Sequence, residues 1–192
     1  KTKIGRGVEI FEDSNFSLIT SQYSKHHISN YSSLIIGICL SGGDQKFPIE
    51  NLVKMLCKMK EVKKIIIVSD EEQLLFEDKI EFYGKTQNTE ELWNLFREIN
   101  IFIGRQGMLI FEAMHRGIPV ISLRAFDEKP KLINSELNDD IYSCIISEDE
   151  SAIIRFLEDK LYLRKINKDL IERSLQNNQD ALYKYSKSIV LE

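Results

Sequence analysis

The sequence predicts a three-layer α/β domain on a doubly wound parallel sheet of about six strands with helices on both faces. Two observations carry this. Apolar runs of strand length alternate with segments of helical period. The runs are also almost unbroken in apolar character, as strands covered on both faces are.

Residues 1–32 are mixed in character, with aromatic anchors at Phe11, Phe16 and Tyr23, and read as a connecting segment that docks on the sheet. Residues 33–192 read as the Rossmann-like domain. Its strand candidates are SLIIGICL (Ser33 to Leu40), KIIIVS (Lys64 to Ser69), IEFYG (Ile80 to Gly84), NIFIG (Asn100 to Gly104), IPVISL (Ile118 to Leu123) and IYSCIIS (Ile141 to Ser147). After the first run, FPIENLVKMLCKMK carries Ile49, Leu52, Val53, Leu56 and Met59 on one helical face, with Pro48 at a tolerated first-turn position. Asp70 is placed to cap EEQLLFE. Asn88 is placed to cap TEELWNLFREI, whose inward stripe is Leu92, Leu95, Phe96 and Ile99. Ser147 opens a capping box for SAIIRFLEDKLYL, and the remainder is helical and polar. There is no internal repeat and no low-complexity tract.

Composition excludes several function classes. The 192 residues are 43% hydrophobic and 29% charged, and 26 Lys plus Arg against 30 Asp plus Glu give a net charge of −4. That balance argues against nucleic acid as a partner, and the Lys-rich piece Lys54 to Lys64 reads as the solvated face and end of a helix. The three cysteines, Cys39, Cys57 and Cys144, are far apart and set among apolar residues. They read as buried small hydrophobes in a reducing compartment, without disulfide or zinc spacing. No apolar run has the length of a transmembrane segment and no signal peptide opens the chain, so a cytoplasmic location is expected. The start KTKIGRG, without Met, suggests a fragment of a longer chain, with a processed or tag-cleaved start as the alternative.

In doubly wound sheets ligands bind beyond the carboxyl ends of the strands, where the strand order reverses. After the first run come Ser41, Gly42, Gly43 and Asp44, where two glycines allow backbone amides to approach a ligand; a tight turn with an Asx cap is the alternative. After the fourth run, Gly104 and Gly107 bracket Arg105 and Gln106 ahead of a helix whose free amides suit a phosphate. The stretch is neither a GxGxxG fingerprint nor a Walker loop. Glu112 lies in the second turn of that helix, among Leu109, Ile110, Phe111, Ala113 and Met114. An ionised carboxylate there suits two adjacent ribose hydroxyls, because it has only acceptor sites; a solvated helix Glu is the alternative.

Other chemistries lack their minimum residues. His26 and His27 lie in a polar stretch without partners, and His115 reads as a helix-end histidine. There is no Gly-x-Ser-x-Gly elbow and no isolated carboxylate pair. No metal and no cofactor is implied.

The order of these features resembles the C-terminal half of GT-B nucleotide-sugar enzymes. The likeness is greatest to the UDP-sugar hydrolase of the pseudaminic acid pathway and its spore-coat polysaccharide relatives, with the peptidoglycan GlcNAc transferase more distant. It runs from about Val8 to Ile146 and includes GVEIFEDSNF, similar to that family's linker. The family's Gly-Gly-Ser/Thr-Asp loop is matched by Ser41, Gly42, Gly43 and Asp44. Its later Gly-Gly-Ser-Thr motif and Glu fall on Gln106, Gly107, Met108, Leu109 and Glu112, followed by RGIP at Arg116 to Pro119.

By that resemblance Gly107 and the helix start face a diphosphate, Glu112 faces the ribose, and the base lies near Ser69 and Tyr83 to Asn88. The expected ligand is a UDP sugar or related nucleotide sugar. Met108 and Leu109 replace the family's hydroxyl pair, Gln106 its first glycine, and FDEK (Phe126 to Lys129) its Asn-Gln. The resemblance also implies a catalytic base on an N-terminal lobe or partner chain, so this domain is expected to be catalytically incomplete, with its catalytic residues unknown. The other readings are a degenerate oligomerisation or docking domain of a multidomain sugar-nucleotide enzyme, for example one fused to a cytidylyltransferase, and the donor-binding half of a split glycosyltransferase. A homo-oligomer is compatible with each.

Overall fold

The computed structural model describes residues 2–4, 8–10, 30–39, 49–68, 78–83, 89–105, 108–124, 141–145 and 150–172. Two short strands, β1 (Thr2–Ile4) and β2 (Val8–Ile10), pair antiparallel in a sheet of their own. The main sheet holds β3 (Leu34–Cys39), β4 (Val62–Val68), β5 (Ile80–Tyr83), β6 (Ile101–Arg105), β7 (Val120–Arg124) and β8 (Ile141–Ile145), all parallel, in the order β5-β4-β3-β6-β7-β8. The helices are α1 (Ile49–Lys58), α2 (Thr89–Glu98), α3 (Met108–His115) and α4 (Glu150–Glu158), with a further helical stretch over 160–172.

The chain winds outward from β3 to β5, crosses back to β6 and winds outward again to β8. Right-handed crossovers then place α1 on one face of the sheet and α2 and α3 on the other. The predicted doubly wound α/β fold is therefore the fold observed.

The strands form because Leu34, Ile36, Ile38, Ile65, Ile66 and Ile67 are apolar on both faces and are at most 2% exposed. Each such side chain contributes about 1.5–3 kcal/mol by leaving water. In α1 the buried Ile49, Leu52, Val53 and Leu56 fall at helical spacing, and an exposed Glu50–Lys54 ion pair at 2.6 Å lies on the opposite side. Lys79 Nζ donates to the carbonyls of Cys57 and Met59, which neutralises the negative end of α1 and ties it to the entry of β5.

The end of α3 is fixed by Gly117, whose φ of +81° lies in the left-handed region. There Gly117 N donates to Met114 O and Ile118 N to Ala113 O, closing a Schellman turn. Asn167 on the 160–172 helix donates to Gly117 O at 2.6 Å, so that helix is pinned to the same turn.

Some sequence expectations need correction. Lys63 and Lys64 belong to β4, which begins at Val62, and not to the end of a helix; the parallel pairing of Val62 with Leu34 extends the strand back past the lysines. Cys57 is only half-buried at the edge of the core, whereas Cys39 is buried. The strands β1 and β2, which pair with each other, lie within the segment read as a connector that docks on the sheet. The capping positions Asp70, Asn88 and Ser147 lie outside the described residues.

Candidate functional site

The strand order reverses between β3 and β6, which pair in parallel with Ile36 opposite Ile101, Gly37 opposite Phe102, Ile38 opposite Ile103 and Cys39 opposite Gly104. Their carboxyl ends therefore lie side by side, and the chain leaves both at the switch point. Ser41, Gly42, Gly43 and Asp44 follow β3, and Gln106 and Gly107 follow β6; all six lie outside the described residues, as do Ser69 and Asn88. Tyr83 closes the edge strand β5 and is half-buried. One strand separates it from β3, so it stands roughly 10 Å across the sheet from the switch point.

Helix α3 starts at Met108, and its first-turn amides have no carbonyl partner within the helix. Leu109 is half-buried against the hydrophobic core. Glu112, in the second turn, is half-buried, and its Oε2 is buried with no hydrogen-bond partner. Burial pushes the Glu112 carboxyl above the ordinary carboxylate range, and the field of Arg116 acts against that rise. A carboxylate held dry with an unused acceptor can take donors from a ligand without first losing protein partners.

Around this helix the structure reveals a cluster that sequence reasoning missed. Arg116 is 2% exposed, and its guanidinium carbon lies 5.2 Å from the centroid of the Phe96 ring. Phe96 in turn meets Phe102 edge-on, with ring centroids 5.6 Å apart and planes at 62°. The Phe102 ring occupies the space a side chain at Gly104 would need, with Cε1 2.7 Å from an ideal Cβ there. Gly104 thus has a packing reason to be glycine, beside the ligand-approach reading. A charged residue flanked by Ala113, Met114 and Ile118 is the signal that would have marked Arg116 as buried.

Asn100 is the second residue that was overlooked. Its Oδ1 accepts from Ile35 N at 2.9 Å and its Nδ2 donates to Ser33 O at 2.9 Å, while its own backbone N donates to Ile35 O. These bonds fasten the entry of β6 to that of β3 and set the register of the two switch-point strands. Among the described residues no cluster of His, Cys, Asp or Glu could hold a metal ion, and no helix is long and apolar enough to cross a membrane.

No family model matches the chain, and no curated protein does. Solved structures match its fold. The spinosyn forosaminyltransferase SpnP is 10% identical with a TM-score of 0.59, over 92% of this chain and 48% of that one. The glycosyltransferase SnogD from Streptomyces nogalater is 11% identical with a TM-score of 0.55, over 88% of this chain and 45% of that one. A mutant of the Thermobaculum terrenum O-GlcNAc transferase is 11% identical with a TM-score of 0.57, over 89% of this chain and 38% of that one. The chain spans less than half the length of these structures. At this identity the likeness is one of fold: a doubly wound, Rossmann-like α/β domain of the GT-B kind, as found in part of several glycosyltransferases.

Proposed function

We propose that this domain binds a nucleotide sugar, a UDP sugar in the first instance, at the switch point between β3 and β6. It would serve as the nucleotide-binding half of a GT-B-like sugar hydrolase or glycosyltransferase in surface-glycan or sialic-acid-like sugar biosynthesis. The observation that carries this is Glu112, a half-buried carboxylate with one oxygen buried and unpartnered, on the helix that leaves the switch-point strand β6.

In this reading Glu112 accepts the two ribose hydroxyls, and the amides of Gly107 and Met108, with Gln106 and Leu109 beside them, receive the diphosphate. Ser41, Gly42, Gly43 and Asp44 close the other side of the site. Ser69, Tyr83 and Asn88 flank the base. Charge on the departing nucleotide is stabilised by preorganised amides. A second lobe, in the same parent chain or from a partner, supplies the catalytic base; the share of each glycosyltransferase that the chain leaves uncovered supports this division.

A second reading has an observation of its own. Leu109 packs on the core at a position where the resemblance implies a hydroxyl donor, which favours a domain that keeps the fold as a docking or oligomerisation module. Calorimetric titration with UDP, with CMP and UMP for comparison, separates the two. Saturable UDP binding that Glu112→Ala weakens by about 1.5–3 kcal/mol, the scale of a hydrogen bond to a charged group, supports the nucleotide site. No binding of any nucleotide at millimolar concentration favours the docking module.

A further inference from the structure

Among the described residues the large apolar side chains left exposed are two neighbours on the 160–172 helix, Leu161 at 77% and Tyr162 at 41%. Tyr162 N donates to Asp159 Oδ1 at 2.9 Å, and its ring meets Phe156 edge-on with centroids 6.0 Å apart. Leu163, Ile166, Asn167 and Leu170 bury the opposite side of the helix, and Asn167 ties it to Gly117 ahead of β7. The exposed face is therefore held in one orientation on the domain.

The charges around Leu161 have one sign. From Lys160 to Lys168 there are four cations and no carboxylate, in a chain whose net charge is −4. Arg164, Lys165 and Lys168 follow Leu161 at the spacing that puts them on its own face of the helix, and all three are exposed. Among the described residues Lys168 is the one of the four in an ion pair, with Glu172 at 3.7 Å, one turn on. A merely solvated face intersperses both signs, as α1 does with Glu50 and Lys54.

We propose that this face of the 160–172 helix docks on an anionic lipid bilayer, with Arg164, Lys165 and Lys168 on the headgroup phosphates and Leu161 entering the boundary of the acyl chains. Charge complementarity selects an anionic surface, and the apolar side chain amid the cations selects a bilayer. Nucleic acid phosphates would satisfy the cations and gain little from a leucine among them, whereas an interfacial helix uses both. An acidic protein groove that takes up an amphipathic helix needs its apolar side, and that side is buried here against the domain. Arg and Lys stems can lie along the acyl boundary beside an inserted leucine and keep their charge in water. Tyr162 adds an apolar ring with a polar tip at the same level. The surface does not use the switch point: Asn167 fixes the helix at the entry of β7, whereas the nucleotide is proposed at the carboxyl ends of β3 and β6. Neither reading needs the other.

The test is co-sedimentation of the 192-residue chain with sucrose-loaded vesicles, made of phosphatidylcholine alone or of phosphatidylcholine mixed with an equal amount of phosphatidylglycerol. At low salt the chain should pellet with the anionic vesicles and stay in the supernatant with the neutral ones, and high salt should weaken the binding. Arg164→Gln combined with Lys165→Gln should weaken it roughly fivefold for each charge removed. Leu161→Ser should weaken it roughly tenfold. Lys54→Gln combined with Lys58→Gln on α1 makes the same change in net charge and should leave it intact. All five positions are exposed, so the variants should fold as the wild type does, which circular dichroism verifies.

Equal binding to the two kinds of vesicle, binding to neither, or equal losses from the two paired charge changes overturns the proposal. Undiminished binding by Leu161→Ser overturns it as well, since the face would then be a plain electrostatic surface. Binding to heparin or duplex DNA without binding to vesicles assigns the face to another polyanion and overturns the bilayer.

Discussion

Glu112 is the residue on which the functional reading turns, and its protonation has a definite sign. Burial raises its folded-state pKa, and Arg116 opposes the rise. A carboxyl raised in this way contributes stability that is fully present below its unfolded pKa and is lost as pH climbs through its folded pKa. The wild-type protein should therefore lose stability relative to Glu112→Gln as pH rises from the acidic range toward neutrality; parallel thermal melts at stepped pH measure this. UDP affinity should show the opposite slope, rising as Glu112 ionises, with its midpoint above the ordinary carboxylate range. A flat difference between wild type and Glu112→Gln across that range would mean that the carboxyl is solvated in the folded protein.

At the scale of elements, the joints that set the switch point are few and can be broken singly. Asn100→Ala removes a side chain that bonds Ile35 N and Ser33 O at the entry of β3, and leaves both backbone groups to find other partners. A loss of about 2–4 kcal/mol is expected, on the scale of one or two buried polar groups left unsatisfied. Gly117→Ala strains the turn that ends α3 in two ways. The left-handed backbone costs about 1–2 kcal/mol for a residue with a side chain. The added methyl would also meet Ile171 Cγ1 at 2.6 Å, with overpacking of about 1–3 kcal/mol. Urea unfolding should show a lower midpoint with an unchanged slope for both variants. A Gly117→Ala protein as stable as wild type would show that the 160–172 helix can move off the turn.

For the whole molecule, the proposed nucleotide site lies at the carboxyl ends of the two central strands β3 and β6, so binding there and stability of the folded domain should be linked. A nucleotide that binds the folded domain alone should stabilise it by about 2.7 kcal/mol at a concentration one hundred times its dissociation constant. UDP should therefore raise the melting temperature of the wild type in a concentration-dependent way, and Glu112→Ala should abolish most of the rise. Away from the site, Lys64 on β4 joins Glu81 on β5 to Glu98 at the end of α2. All three side chains are partly exposed, so Lys64→Met should cost at most about 1 kcal/mol and less in high salt. Equal melting shifts by UDP in wild type and Glu112→Ala would place the ligand elsewhere on the molecule.

The sequence by itself determined the layer architecture, because short unbroken apolar runs such as Ile65 to Val68, alternating with segments such as Ile49, Leu52, Val53 and Leu56 at helical spacing, match strands covered on both faces by one-sided helices. It also marked Glu112, since a lone carboxylate in an apolar helix next to a glycine turn is conspicuous in one dimension. Strand order was decided only in three dimensions: which strand lies beside β3 depends on the hand of the crossovers and on packing across the sheet, and Cys39 meets Gly104 across 65 positions of chain. For the same reason Asn100 and Arg116 escaped notice. Their partners, Ile35 and Ser33 for one and Phe96 for the other, are brought to them by the fold, and burial of a polar side chain is tolerated only where such partners converge.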